Sequence, residues 1–261
     1  MMMSEVLSPA YVLHSRKYRD SSLIVELLTR DEGRISAVVR GARSKRGRKG
    51  GAWQPFAPLL VSFLGRGELR TVKHAEFLPT AFYLTGENLL LGLYVNELLV
   101  RVLGKFETVP AVFEEYQRLL AELNASIGLT ATVEPDTEPR KQAALRHFEL
   151  RLLDELGYGI SFTSEAGGGA EVVPGRWYQF VVNQGFYVMG AGDIEPDVGY
   201  LGEHLLAIAA RQFDAGPVEL AAKKITRLVF AGLLGGKPLK ARELFKPVAF
   251  NVDLSLVKAQ A

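Results

Sequence analysis

A chain of 261 residues, 48% hydrophobic and 23% charged, is long enough to bury two cores without metal or disulfide staples and too apolar for global disorder. It has no cysteine, which excludes disulfides, thiolate nucleophiles and cysteine-based zinc sites. The net charge is only +2, so the placement of charge matters more than its total.

Residues 10–76 read as β-structure. Ala10–Ser15, Ser22–Leu28, Arg34–Arg40, Leu59–Leu64 and Glu68–Glu76 are short apolar or alternating runs, separated by turn signals such as Asp31-Glu32-Gly33 and Gly65-Arg66-Gly67. Five strands at this spacing predict a small barrel or sandwich, with Pro58 at the entrance of the fourth. After Pro79 the period becomes helical: Asn88–Leu103, Val112–Leu123, Lys141–Leu156, Leu205–Phe213 and Val218–Leu233. Thr132–Pro139 and the glycine-bearing Thr163–Gly175 read as loops, and Trp177–Val182 with Phe186–Met189 reads as a hairpin turned at Asn183-Gln184-Gly185. The expected class is α+β, with domains at 1–80 and 81–246, an insertion at about 157–200 in the second, and a tail at 247–261.

Catalytic constellations are missing from the sequence. His14, His74, His147 and His204 are far apart, so no metal pair is implied. Glu114-Glu115 and Asp154-Glu155 are adjacent on helices and do not face each other. Gly235-Gly236-Lys237 lacks the phosphate-loop pattern, with Ala231 where glycine is needed and Pro238 where a hydroxyl is needed. Gly190-Ala191-Gly192 is followed by Pro196 instead of a helix, and no nucleophile elbow occurs. No enzymatic activity and no cofactor or metal are expected.

The chemistry lies in a basic run. Arg34, Arg40, Arg43, Lys45, Arg46, Arg48 and Lys49 occupy sixteen positions without an acid among them, interspersed with glycines. Arg66, Arg70 and Lys73 follow in the same β-region. Such a loop stays in water and attracts phosphate, whose neutralisation releases counterions. Trp53 and Phe56, next along the chain, are base-stacking candidates but fit a core better.

Several segments taken together resemble the bacterial recombination-repair family RecO: Ala10-Tyr11-Val12-Leu13-His14-Ser15-Arg16, Gly41-Ala42-Arg43-Ser44-Lys45-Arg46, Gln54-Pro55-Phe56, Leu93-Tyr94-Val95-Asn96-Glu97-Leu98-Leu99, Phe148-Glu149-Leu150 through Leu156-Gly157-Tyr158-Gly159, and Leu234-Gly235-Gly236-Lys237-Pro238-Leu239 through Phe245. The resemblance implies an N-terminal OB-fold and a helical C-terminal domain. It implies binding of single- and double-stranded DNA, annealing of complementary strands, and action with RecR in helping RecA load onto DNA coated by single-stranded-DNA-binding protein. It also implies docking of that protein's acidic, phenylalanine-ended tail. A cytoplasmic, nucleoid-associated location without membrane contact is expected, since the longest apolar stretch, around Leu89–Val102, is interrupted by Asn96, Glu97 and Arg101 and is too short and too polar to span a bilayer. Many members carry a four-cysteine zinc site after the Gly-Tyr-Gly segment; here Ser161–Gly169 offers no such ligands, so packing around Trp177–Tyr187 is expected to hold that subdomain.

The residues expected on phosphate are Arg34, Arg40, Arg43, Lys45, Arg46, Arg48, Lys49 and Arg70, without base readout. For the tail, Arg146 with Leu150, Leu153 and Leu156 on one helix is the candidate stripe, against the plainer reading of those leucines as core. Lys223, Lys224, Arg227, Lys237, Lys240, Arg242 and Lys246 extend the DNA surface or form a solvated face. The rival classes are an RNA-binding module and a pure scaffold.

Overall fold

The computed structural model describes residues 7–43, 52–79, 82–125, 137–190, 199–213 and 216–243. Five strands, β1 (Ser8–Tyr18), β2 (Ser22–Thr29), β3 (Gly33–Val39), β4 (Pro58–Leu64) and β5 (Leu69–Phe77), close a barrel in the order β1-β2-β3-β5-β4. All pairs are antiparallel except β3 with β5, which run parallel. This is the expected OB-like barrel. Its interior is filled by alternate residues of each strand, among them Val12, Val25, Leu27, Ile35, Ala37, Leu59 and Val61, with Trp53 closing one end edge-on to Phe77.

The alternate residues of β1 and β2 face the other way and are also buried. Tyr11, Leu13 and Leu28 belong to the core of the helical half, packed with residues of α1 (Gly86–Val102) and α2 (Pro110–Ala125). In α1 the buried Leu91, Tyr94, Val95, Leu98 and Leu99 follow the i, i+3, i+4, i+7, i+8 pattern of a one-sided helix. Asn96 on that face spans the junction: its Nδ2 donates to the Leu13 carbonyl (2.8 Å) and its Oδ1 accepts from the Tyr116 hydroxyl (2.6 Å). A buried amide with both ends satisfied fixes barrel and helices in one arrangement.

Beyond α3 (Thr137–Glu155), a small sheet of β6 (Trp177–Val181), β7 (Gly185–Val188) and β8 (Gly199–Leu201) is followed by α4 (Gly202–Ala209), α5 (Gly216–Leu233) and the short α6 (Lys240–Glu243). The hairpin stands where the sequence placed it, with Asn183 in the left-handed region (φ 64°). Strand β8 and helix α6 are too short to leave a periodic signal. α3 starts two residues before Pro139, inside the stretch read as a loop; proline is tolerated in a first turn because its nitrogen needs no helical partner there. The insertion shares a second core with α4 and α5, in which Tyr178 and Phe186 are fully buried beside Phe162, Tyr200 and Leu205. The Tyr178 hydroxyl accepts from the Val173 N–H (2.8 Å) and donates to Glu165 (3.3 Å), tying the loop before β6 to the sheet.

The C-terminal Leu-Gly-Gly-Lys-Pro-Leu-Lys-Ala segment is stapled to α1. Arg101 donates to the carbonyls of Pro238 (2.8 Å) and Lys237 (3.0 Å), while the Glu97 carboxylate accepts from the N–H groups of Lys240 and Ala241. Glu97 thus caps α6, placing an anion where unpaired N–H groups collect.

Candidate nucleic-acid interface

β1 runs three residues past the Ser15 boundary expected from the sequence, because pairing of Arg16 with Ile24 and Lys17 with Leu23 carries the ladder on through polar residues. That extension brings a second source of cations to one end of the barrel. The β1–β2 turn, with Arg19 at φ 50°, lies beside the end of β3, since Leu23 pairs with both Lys17 and Val39. The Arg43 N–H donates to the Ser21 carbonyl (2.9 Å), so the chain leaving β3 turns back over the tip. Arg16, Lys17, Arg19, Arg40 and Arg43 are all exposed there, and Asp20 is the only acid between His14 and Val25. Among the described residues none of the five cations is paired with a carboxylate; Arg19 lies over the Tyr18 ring at 5.1 Å. Five exposed cations on one rim, against the single acid Asp20, create a local positive potential that a net charge of +2 conceals.

Of the residues expected on phosphate, Arg40 and Arg43 stand on this rim. Lys45, Arg46, Arg48 and Lys49 lie outside the described residues. Arg34 and Arg70 are engaged elsewhere. Arg34, 13% exposed in its side chain, donates to Glu26 (2.9 Å) and to the Leu103 carbonyl (3.0 Å), while Ser36 donates to the other Glu26 oxygen (2.7 Å). Arg70 pairs with Glu32 and is stacked between Phe106 (4.7 Å) and Phe63 (5.7 Å). Both sit where β3 and β5 meet the connection after α1: the Phe106 N–H donates to the Arg34 carbonyl (3.0 Å). Gly33 admits this close approach, since a Cβ there would meet the Glu107 carbonyl oxygen at 1.8 Å. Trp53 and Phe56 are buried in the barrel and helical cores respectively, which is the plainer of their two readings. The rim cations Arg16, Lys17 and Arg19 were missed because nothing in the run His14–Asp20 marks it as folding against the end of β3.

The stripe on α3 is not a single surface. Leu150 packs in the core of the insertion and Leu153 in the main helical core, both buried, with Leu156 half-buried. Arg146 is 2% exposed. Its Nη1 donates to Glu149 (2.7 Å), whose carboxylate also accepts from the hydroxyls of Tyr94 (2.6 Å) and Thr226 (2.7 Å). Glu219 approaches Arg146 Nε at 3.5 Å, and neither atom has a hydrogen-bond partner. This network forms the floor of a cavity of about 360 Å³ whose walls include Leu91 and Leu145, with Lys223 and Arg227 at its edge. Lys224 is half-buried, whereas Lys237 and Lys240 are exposed; the side chains of Arg242 and Lys246 lie outside the described residues.

The histidines remain scattered, and no metal-binding cluster of histidine, aspartate and glutamate forms among the described residues. His147 packs edge-on to Phe213 (4.9 Å), and burial pushes its pKa below the usual histidine value; Glu115 pulls it up, and Arg211 and Arg118 push it further down. No described helix is long and apolar enough to cross a membrane.

Comparison with known proteins divides the chain the same way as its architecture. Residues 3–80 match the family model described as Recombination protein O N terminal, and residues 84–243 match Recombination protein O C terminal. The chain is 42% identical over 245 residues to the DNA repair protein RecO of Aliivibrio fischeri (strain MJ11), covering 94% of this chain and 97% of that protein. It is 42% identical over 237 residues to the DNA repair protein RecO of Salmonella paratyphi B, covering 91% and 92%.

Proposed function

The chain belongs to the RecO family of DNA repair and recombination proteins, and from that premise we propose that it works by binding, without catalysis of its own. It holds single- and double-stranded DNA by the phosphates, anneals complementary strands, and together with RecR helps RecA load onto DNA coated by single-stranded-DNA-binding protein. The observation that supports this reading is the rim of five exposed cations, none of them paired with a carboxylate among the described residues. Contacts of this kind are blind to sequence, as annealing of any two complementary strands requires, and they weaken steeply with salt. The test is annealing of complementary oligonucleotides, naked and coated, by the unaltered protein and by Arg40→Glu/Arg43→Glu. The variant should anneal poorly and lose affinity at low salt while keeping its melting temperature. Equal annealing by both proteins would defeat the reading.

The acidic tail of single-stranded-DNA-binding protein docks, in this proposal, at the cavity above Arg146 rather than along the α3 leucines. Lys223 and Arg227 meet the acidic residues, and the apolar walls at Leu91 and Leu145 take the terminal ring. Arg146→Ala is a poor test because it leaves Glu149 buried and short of a partner. Lys223→Glu/Arg227→Glu alters only the edge of the cavity and should abolish binding of a tail peptide; unchanged peptide affinity would remove the assignment.

A further inference from the structure

The barrel end that carries the cationic rim also carries an apolar groove that phosphate contacts do not use. β3 leaves the barrel at Val39, β4 enters at Pro58 and β5 leaves at Phe77. Because β5 runs parallel to β3 and antiparallel to β4, these three termini point the same way. At the entry of β4 and the exit of β5 lies a groove of about 360 Å³. One wall is Gln54, Pro55 and Pro58, the segment that follows the basic run Arg43–Lys49 in the chain. The other wall is Leu78 and Phe82, and Tyr83 stands at its edge.

Among the described residues Tyr83 is the most exposed of the large apolar side chains, at 75%. Its backbone is nonetheless held. The Tyr83 N–H donates to Asn124 Oδ1 (3.2 Å), and the preceding Phe82 packs on the ring of Tyr11 (6.3 Å between centroids). The groove's Gln54–Pro58 wall is bonded to β1 at Val12, four residues before Arg16, the first cation of the rim on that strand. An aromatic ring left in water on an anchored backbone, at the edge of a groove on the strand that leads to the rim, combines the two elements of a single-strand site: charge for the phosphates and a ring face for a base. Trp53 and Phe56, nearer the basic run in sequence, cannot serve because both are buried.

We propose that Tyr83 is a base-stacking platform and that the groove beside it receives an unpaired base of single-stranded DNA whose phosphates lie on the cationic rim. This rests on the DNA-binding reading above and adds a preference for unpaired strands that charge alone does not supply. Duplex DNA keeps its bases stacked on one another and offers none to the ring.

The test uses the full chain, a thymidine oligonucleotide, an abasic oligonucleotide of equal length, and a duplex. Tyr83→Ala should weaken binding of the thymidine oligonucleotide about five-fold or more, the loss expected from one stacked base. It should leave the abasic strand and the duplex unchanged, and Tyr83→Phe should restore the loss. Equal affinities of Tyr83→Ala and the unaltered protein for the thymidine oligonucleotide would overturn the platform while leaving the rim intact. So would a loss of the same size on the abasic strand. Failure of the unaltered protein to bind any of the three would instead remove the DNA-binding reading itself.

Discussion

Two groups of arginines within the same barrel have opposite fates. At one end, Arg40 and Arg43 project into water with Arg16, Lys17 and Arg19 and pair with no carboxylate among the described residues. Where β3 and β5 meet the connection after α1, Arg34 and Arg70 are clamped by Glu26 and Glu32 and half-covered by phenylalanines or backbone. All four belonged to one cationic set in the sequence. What separates them is the register of neighbouring strands, which brings an acid opposite one pair and open solvent opposite the other. An arginine neutralised at short range by its own fold has little field left for a distant phosphate, whereas an unpaired one contributes its whole charge.

The contrast is sharpest in stability. Arg146 is the extreme clamped case, and removing its acid should cost most. Glu149→Ala deprives a buried guanidinium of its nearer counter-ion, leaving only the 3.5 Å approach of Glu219, and removes the carboxylate that accepts from the Tyr94 and Thr226 hydroxyls, so a loss of about 3–5 kcal/mol is expected by urea unfolding. The double replacement Arg146→Leu/Glu149→Leu should recover part of it, because the two most buried charges leave together and only the partly exposed Glu219 loses its partner. Next comes Arg34→Met, which strands Glu26 with only Ser36 as donor and frees the Leu103 carbonyl. A loss of about 1–3 kcal/mol is expected, with oligonucleotide affinity unchanged. A drop in affinity comparable to that of the rim variants would show that the clamp opens when DNA arrives.

The rim should behave in the opposite sense. Arg16→Gln/Lys17→Gln touches no buried group, so unfolding should change by less than about 0.5 kcal/mol. Binding to single strands should lose salt dependence, with the slope of log affinity against log salt shrinking by about 0.7 for each phosphate contact removed. An unchanged slope would place the DNA on another face.

How far these differences were legible in the sequence depended on whether they were local. Strand alternation and helical period lie within ten or twenty consecutive residues, so the barrel, the four long helices and the hairpin at Asn183 could be located, while the eight-residue α4 was placed about three residues too late. The partners of Arg34 and Arg70 lie 8 and 38 residues away and depend on register. The same limit hid the rim cations of β1: Arg16 and Lys17 lack an apolar alternation, and only their ladder with β2 makes them strand. On α3, helical spacing did put Leu150 and Leu153 on a buried side, but spacing cannot show that two separate cores meet across that helix. Tyr83 gave no signal, since exposure of a single aromatic is a property of the assembled surface.

The smallest effect concerns a charge that the fold excludes. His147 lies against Phe213 on the helical half, and burial holds its folded pKa below the unfolded value, outweighing the upward pull of Glu115. A depressed folded value means that the unfolded chain binds a proton more readily. The neutral ring therefore contributes its full stabilisation above the unfolded histidine pKa of about 6.5, and the contribution fades as the pH falls through that value toward the folded one. His147→Gln should accordingly flatten the decline in melting temperature on the acid side of neutrality while changing little at pH 8. Rim substitutions, which remove charges already in water, should leave that decline as it is. If His147→Gln shifted the melting curve equally at both pH values, the ring would be stabilising by packing alone and the excluded charge would play no part.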